Sequence, residues 1–92
     1  TIAFIGNMFE VGVTSKAEHQ AMLDLAHHLS IDHVYAIGPD FGTSVPQVNQ
    51  ELYEDYNAFA KAYSNKIPTG ATVLIKGSRG MKMERILSLL EN

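Results

Sequence analysis

The chain has 92 residues, 46% of them hydrophobic and 18% charged, with a formal net charge of −3 and no cysteine. That length makes one small domain, residues 1–92, which buries roughly 60 to 65% of the surface its unfolded form exposes; the lack of a basic excess argues against a nucleic-acid partner. Without cysteine there is neither a disulfide framework nor thiolate chemistry, and with no apolar run near the ~18 residues of a membrane span and no signal-peptide layout, a cytoplasmic protein is the expectation.

Ile2-Ala3-Phe4-Ile5 is an unbroken apolar run ending at Gly6, the pattern of a strand buried on both faces of a parallel sheet. Gly6-Asn7-Met8-Phe9-Glu10-Val11-Gly12 forms a loop at its carboxyl end. Ser15 and Glu18 supply a capping box for the helix that follows. In that helix Met22, Leu25, Ala26 and Leu29 recur at i, i+3, i+4 and i+7, which predicts an apolar stripe packed on the sheet, with Lys16, Gln20, Asp24 and His27 or His28 outward. His27 and His28 are adjacent and diverge by about 100°, so they do not chelate one metal ion together.

His33 to Ile37 reads as the second strand, closed by the loop Gly38-Pro39-Asp40-Phe41-Gly42. Thr43 to Glu51 is polar and carries Pro46; a short helical turn and an irregular path both fit it, and Leu52-Tyr53 adds a brief strand. Asp55 is the predicted N-cap of a second helix whose stripe is Tyr56, Phe59, Ala60 and Tyr63. After a loop over 65–70 come a strand from Thr72 to Ile75 and a final helix with Met83, Ile86, Leu87 and Leu90 at the same spacing. Strands alternating with amphipathic helices predict an α/β domain of Rossmann-like architecture, an open and mostly parallel sheet flanked by helices. The G-x-G-x-x-G fingerprint is lacking, so a dinucleotide is not implied.

The stretch Val73 to Glu84 runs from an apolar strand through Lys76-Gly77-Ser78-Arg79-Gly80 into a helix. Helix N-termini at the carboxyl ends of parallel strands present unpaired N–H groups and partial positive charge, which suits an anion. An ordinary strand-to-helix turn with two surface cations is the other reading. The order of residues is not that of a Walker A loop, because Lys76 precedes the glycine. The loop after the first strand reaches the same edge if both strands are parallel, so two loops face one cleft. There Asn7 donates and accepts hydrogen bonds, Glu10 suits an ammonium group, and glycines admit a ligand close to the backbone. His19 falls on the apolar side of the first helix, either as a structural histidine or as a group orienting that loop.

Three segments, VLIKGSRGMKME, IAFIGNMFEVG and Glu18-His19, resemble the C-terminal domain of the Mur ligases, which build the peptidoglycan precursor. The resemblance implies a three-domain enzyme whose N-terminal and central domains lie outside this sequence, and a chain that starts at Thr1 without an initiator Met reads as a piece of such a protein. It implies ATP and Mg2+ held mainly by the other domains, with no cofactor on this one. It also implies UDP-N-acetylmuramoyl-tripeptide and D-alanyl-D-alanine as substrates in a bacterial cytoplasm, joined by ATP-driven amide formation through an acyl phosphate. No nucleophile, base and orienter occur together here, so the domain alone is expected to carry no catalytic residue. Its substrate-binding residues are then Arg79, Ser78, Gly77, Lys76, Asn7 and Glu10, supported by His19, Gly6, Met8 and Gly12. Arg79, helped by Ser78, is expected to anchor the dipeptide carboxylate, with Lys76 as runner-up or turned towards ATP phosphate. The family usually has Asp where this chain has Asn7, and Asn7→Asp is expected to be tolerated. The alternatives are a free-standing α/β module that binds a small anion or nucleotide without catalysis, and a purely structural domain; the length of the parent reading frame separates them.

Overall fold

The structure is a computed structural model that describes residues 1–7, 15–42, 44–63, 70–77 and 82–86, the side chains of residues 15 and 16 excepted. Four strands, β1 (Ile2–Gly6), β2 (His33–Ile37), β3 (Gln50–Tyr53) and β4 (Val73–Lys76), form one sheet in the order β3-β2-β1-β4. Every pairing is parallel, with Ile2 opposite both His33 and Val73, and Val34 opposite Gln50. Helix α1 (Ser15–His28) joins β1 to β2, and α2 (Tyr56–Ala62) lies between β3 and β4. The fold is the α/β, Rossmann-like open sheet expected from the alternation of elements.

β1 has neighbours on both sides, and its residues from Ala3 to Gly6 are all buried. Its side chains feed two cores by simple alternation. On one face Ala3 and Ile5 join Val34, Ala36, Leu23 and Ala26 of α1, and Phe41. On the other, Phe4 joins Tyr35, Ile37, Phe59 of α2, Met83 and Ile86. The second core is an aromatic stack: the Phe4 and Tyr35 rings lie parallel at 5.1 Å, and Phe59 meets both edge-on at 5.7 and 5.6 Å. Tyr56 and Tyr63 rim this core as expected of the second helix. Its N-cap is also where the sequence places it, with the Asp55 carboxylate accepting from the Ala58 N–H at 2.8 Å.

The stripe of α1 is a correction. Ala26 is buried, Met22 packs against the same core and His19 is on the apolar side, all as expected; Leu23 joins them, whereas Leu25 and Leu29 are 56% and 61% exposed. At 100° per residue the inward face is rotated by about 60° from the leucine-rich phase. His19 is fully buried on this inward face, with its ring edge-on to Phe41 at 4.6 Å. Segment 44–50 then runs along the polar side of the helix. Gln20 exchanges hydrogen bonds with the Val45 backbone at 2.7 and 3.0 Å, Gln47 donates to Asp24, and Gln50 donates to the Leu23 carbonyl.

The 39–41 stretch is a 3₁₀ turn rather than plain loop. β3 begins two residues earlier than expected, and β4 is shifted by one residue to Val73–Lys76. Met83 and Ile86 are buried as expected, but Met83 is in a turn and helix is described only at residues 85–86; Leu87 and Leu90 lie outside the described residues.

Candidate functional site at the strand carboxyl ends

The chain steps from β1 to β2 to β3 in one direction across the sheet, then returns past β1 to place β4 on its far side. Between β1 and β4 the winding therefore reverses. In open parallel sheets such a switch point opens a crevice outside the carboxyl ends of the strands, because the connections leaving the two strands diverge to opposite faces. β1 ends there in Gly6-Asn7, and β4 ends in Lys76-Gly77.

Gly6 and Gly77 meet at the base of this crevice. A Cβ built on Gly77 lies 3.1 Å from the Gly6 Cα, 3.3 Å from its nitrogen and 2.8 Å from Met83 Cγ, so only a residue without a side chain lets the two backbones approach this closely. Lys76, exposed and opposite Ile5 in register, is the described cation at this edge that the sequence singled out.

Asn7 is 1% exposed and tied to the connection that follows β2. Its N–H donates to the Ile37 carbonyl at 2.8 Å, and its Oδ1 accepts from the Asp40 N–H at 2.8 Å. That bond turns the amide nitrogen towards the Asp40 carboxylate, with Nδ2 to Oδ2 at 3.4 Å. Gly38 closes the same corner. Its φ is +141°, a Cβ there would fall 2.4 Å from Asn7 Cβ, and its N–H donates to the Tyr53 carbonyl at 2.8 Å. His19 supports the turn from beneath through Phe41.

The structure thus brings together Gly6, Asn7, Lys76 and Gly77, with His19 one layer back. Met8, Glu10, Gly12, Ser78 and Arg79 lie outside the described residues. Sequence reasoning missed Gly38 and Asp40. The available signal was a glycine placed directly after a strand and followed by Pro, at the edge where Gly6 and Gly77 end their own strands.

Among the described residues no group of three or more His, Cys, Asp or Glu side chains is placed to hold a metal ion. A pocket of about 240 Å³ lined by His27, Ser30, Ile31, Asp32, Val48 and Asn49 opens elsewhere, before β2 and β3 at the amino ends of the strands. Helix N-termini and diverging loops are found at the carboxyl ends, which makes the β1–β4 crevice the candidate site. Among the described residues no helix is long and apolar enough to cross a membrane.

No family model matches the chain. It is 32% identical over 93 aligned positions to the UDP-N-acetylmuramoyl-tripeptide–D-alanyl-D-alanine ligase of Treponema pallidum (strain Nichols), an alignment that takes in 94% of this chain and 20% of the relative. Its structure is similar to the MurF ligase from Thermotoga maritima solved in complex with ADP, with a TM-score of 0.70 and 30% identity over 98% of this chain and 21% of that one. The chain spans about a fifth of the length of the proteins it matches.

Proposed function

The chain belongs to the Mur ligase family, and from that premise we propose that it is the C-terminal, substrate-recognising domain of a ligase that adds D-alanyl-D-alanine to UDP-N-acetylmuramoyl-tripeptide. The observation that carries this reading is that the sequence and structural comparisons both meet a ligase of this kind across nearly the whole chain, 94% by sequence and 98% by structure.

In this reading the rest of the polypeptide holds ATP and Mg2+, and the present domain closes over them from its strand carboxyl ends. The similar ligase was solved with ADP, which fits ATP as the co-substrate of the whole enzyme. The contribution of this chain is to bind and orient. The dipeptide must offer its amine to the activated tripeptide while its other end, an ionised carboxylate, loses water as the domains close. A desolvated carboxylate needs a fixed partner, and an arginine fork gives two parallel donors. Arg79, two residues beyond Gly77, takes that role, with Ser78 beside it. In this reading Lys76 and Glu10 make further polar contacts with the substrates, and Asn7, 1% exposed and bonded to Asp40, fixes the end of β1. Such an enzyme works in the bacterial cytoplasm on peptidoglycan precursors.

The test is direct. The intact protein, given ATP, Mg2+, UDP-N-acetylmuramoyl-tripeptide and D-alanyl-D-alanine, should yield the pentapeptide product by mass spectrometry together with one phosphate per peptide bond. The 92-residue domain alone should release no phosphate, because phosphoryl transfer needs the metal and a phosphate cradle. An intact protein that makes no pentapeptide from these substrates would reject the reading.

A further inference from the structure

The apolar stripe that the sequence draws along α1 is only half used by the sheet. Met22 packs against the first core, but Leu25 and Leu29 remain exposed. Leu74 of β4, 47% exposed, belongs with them. It lies opposite Ala3 in register, so it projects from the same face of the sheet as Ala3 and α1. Val73 and Ile75 take the other face and pack on the Phe4 core.

The helix geometry says which flank of α1 carries the unused leucines. With His19, Leu23 and Ala26 turned to the sheet, a step of 100° per residue puts Gln20 about 90° to one side of the inward direction. Met22 and Leu29 fall about 70 to 90° to the other side, with Leu25 further out. Gln20 bonds to Val45, in the segment that leads into β3, so its flank is the β3 flank. Met22 and Leu29 therefore look towards β4, across the strip where Leu74 emerges. Nothing among the described residues covers that strip, and no described strand pairs with the outer side of β4. Parallel sheets bury both faces, and exposed strand edges are covered or paired.

The right hand of strand-to-strand crossovers says where the cover comes from. The step from β1 to β2 places α1 on the Ala3 face, and the opposite step from β3 to β4 places α2 on the Phe4 face. A strand on the free edge of β4 that led into β1 would step in the β1-to-β2 direction, so its helix falls on the Ala3 face, over β4. A strand added after β4 would send its helix to the Phe4 face, where Met83 and Ile86 already lie. Of the two, only the preceding unit fills the strip.

We propose that the strip between α1 and β4 seats an amphipathic helix of the polypeptide leading into Thr1, and that this helix follows a strand paired with the outer edge of β4. The sheet then gains a fifth strand, and the domain starts upstream of residue 1. The ligase reading is needed only for the existence of that further polypeptide, since the chain spans about a fifth of its relatives.

Two measurements on the intact protein test this. Single cysteines are introduced as Leu29→Cys, Leu74→Cys and Val45→Cys, the last at a residue 71% exposed on the opposite flank of α1, and maleimide labelling of each is followed by peptide mass spectrometry. Labelling at 29 and 74 should be at least about tenfold slower than at 45, because it waits on local opening. Equal rates would overturn the proposal, and so would protection lost on dilution, which would make a second copy the cover. Hydrogen exchange identifies the occupant. Leu29→Asp should speed exchange about tenfold or more in a stretch within roughly 40 residues before Thr1, the length of one strand and helix, while β1 and β2 keep their slow exchange and report an intact fold. No change before Thr1, or protection lost beyond Asn92 instead, would overturn the assignment. A protein that makes no pentapeptide would sink the ligase reading, while labelling and exchange still decide what covers the strip.

Discussion

Gly77 at the end of β4 lies against Gly6 at the end of β1, close enough that a Cβ on Gly77 would stand 3.1 Å from the Gly6 Cα and 2.8 Å from Met83 Cγ. Methionine has three rotatable bonds and yields, but the Gly6 backbone is held in the central strand. Gly77→Ala should therefore push the two strand ends apart and destabilise the protein by about 1 to 3 kcal/mol, the usual cost of overpacking. Gly70→Ala is the contrast: there a Cβ has open space and the cost comes only from φ +84°, about 1 to 2 kcal/mol. Denaturant melts of the two variants check this, and a Gly77→Ala protein as stable as the wild type would show that the contact is not tight.

The rotated face of α1 makes a second prediction. Leu23 is fully buried and Leu25 is more than half exposed. Leu23→Ala should cost about 2 to 5 kcal/mol, and Leu25→Ala no more than about 0.5 kcal/mol. The reverse order in chemical denaturation would restore the leucine-rich phase as the buried one.

Edge strand β3 carries a pH-sensitive cluster. His33 Nε2 and Glu51 Oε2 are 2.6 Å apart, and the Tyr53 hydroxyl donates to Glu51 Oε1 at 2.7 Å. Burial alone would raise the Glu51 pKa, but the hydrogen bond from Tyr53 and the bond and charge of His33 together hold it below the ordinary glutamate value. For Tyr53, burial first and then the Glu51 bond and charge push the pKa up to about 12. A lowered acid favours the folded state while ionised, so the Glu51 contribution is present above the ordinary glutamate pKa and is lost as pH falls through the lowered one. A raised tyrosine contributes below its ordinary value of about 10 and loses that contribution as pH rises towards 12. Tyr53→Phe should flatten the alkaline limb of a stability-versus-pH curve and move the acid limb to higher pH. Curves that superimpose after scaling would show that the cluster is not coupled to folding.

What was legible in the chain followed from local pattern. The Ile2–Ile5 run, the alternation of strands with striped helices and the Asp55 cap are all readable over a few residues, and they were enough to place two glycine loops on one edge of a parallel sheet. What was not legible depends on partners distant in sequence. Glu51 reads as a polar interruption until His33 supplies its neighbour across β2 and β3, which is why β3 looked shorter than it is. His19 was legible as a residue of the apolar side of α1, but its ring contact with Phe41 arises only in the fold. Asp40 reads as a loop acid until β1 and β2 lie side by side and bring Asn7 to it.

The central claim, that the crevice between β1 and β4 recognises the carboxylate of the incoming dipeptide, is tested most directly by steady-state kinetics of Arg79→Ala in the intact ligase. Removing one partner of a desolvated charge pair costs about 2 to 5 kcal/mol, so KM for D-alanyl-D-alanine should rise steeply while KM for ATP changes little. A variant that loses ATP binding and keeps its dipeptide KM would contradict the claim and assign Arg79 to the nucleotide.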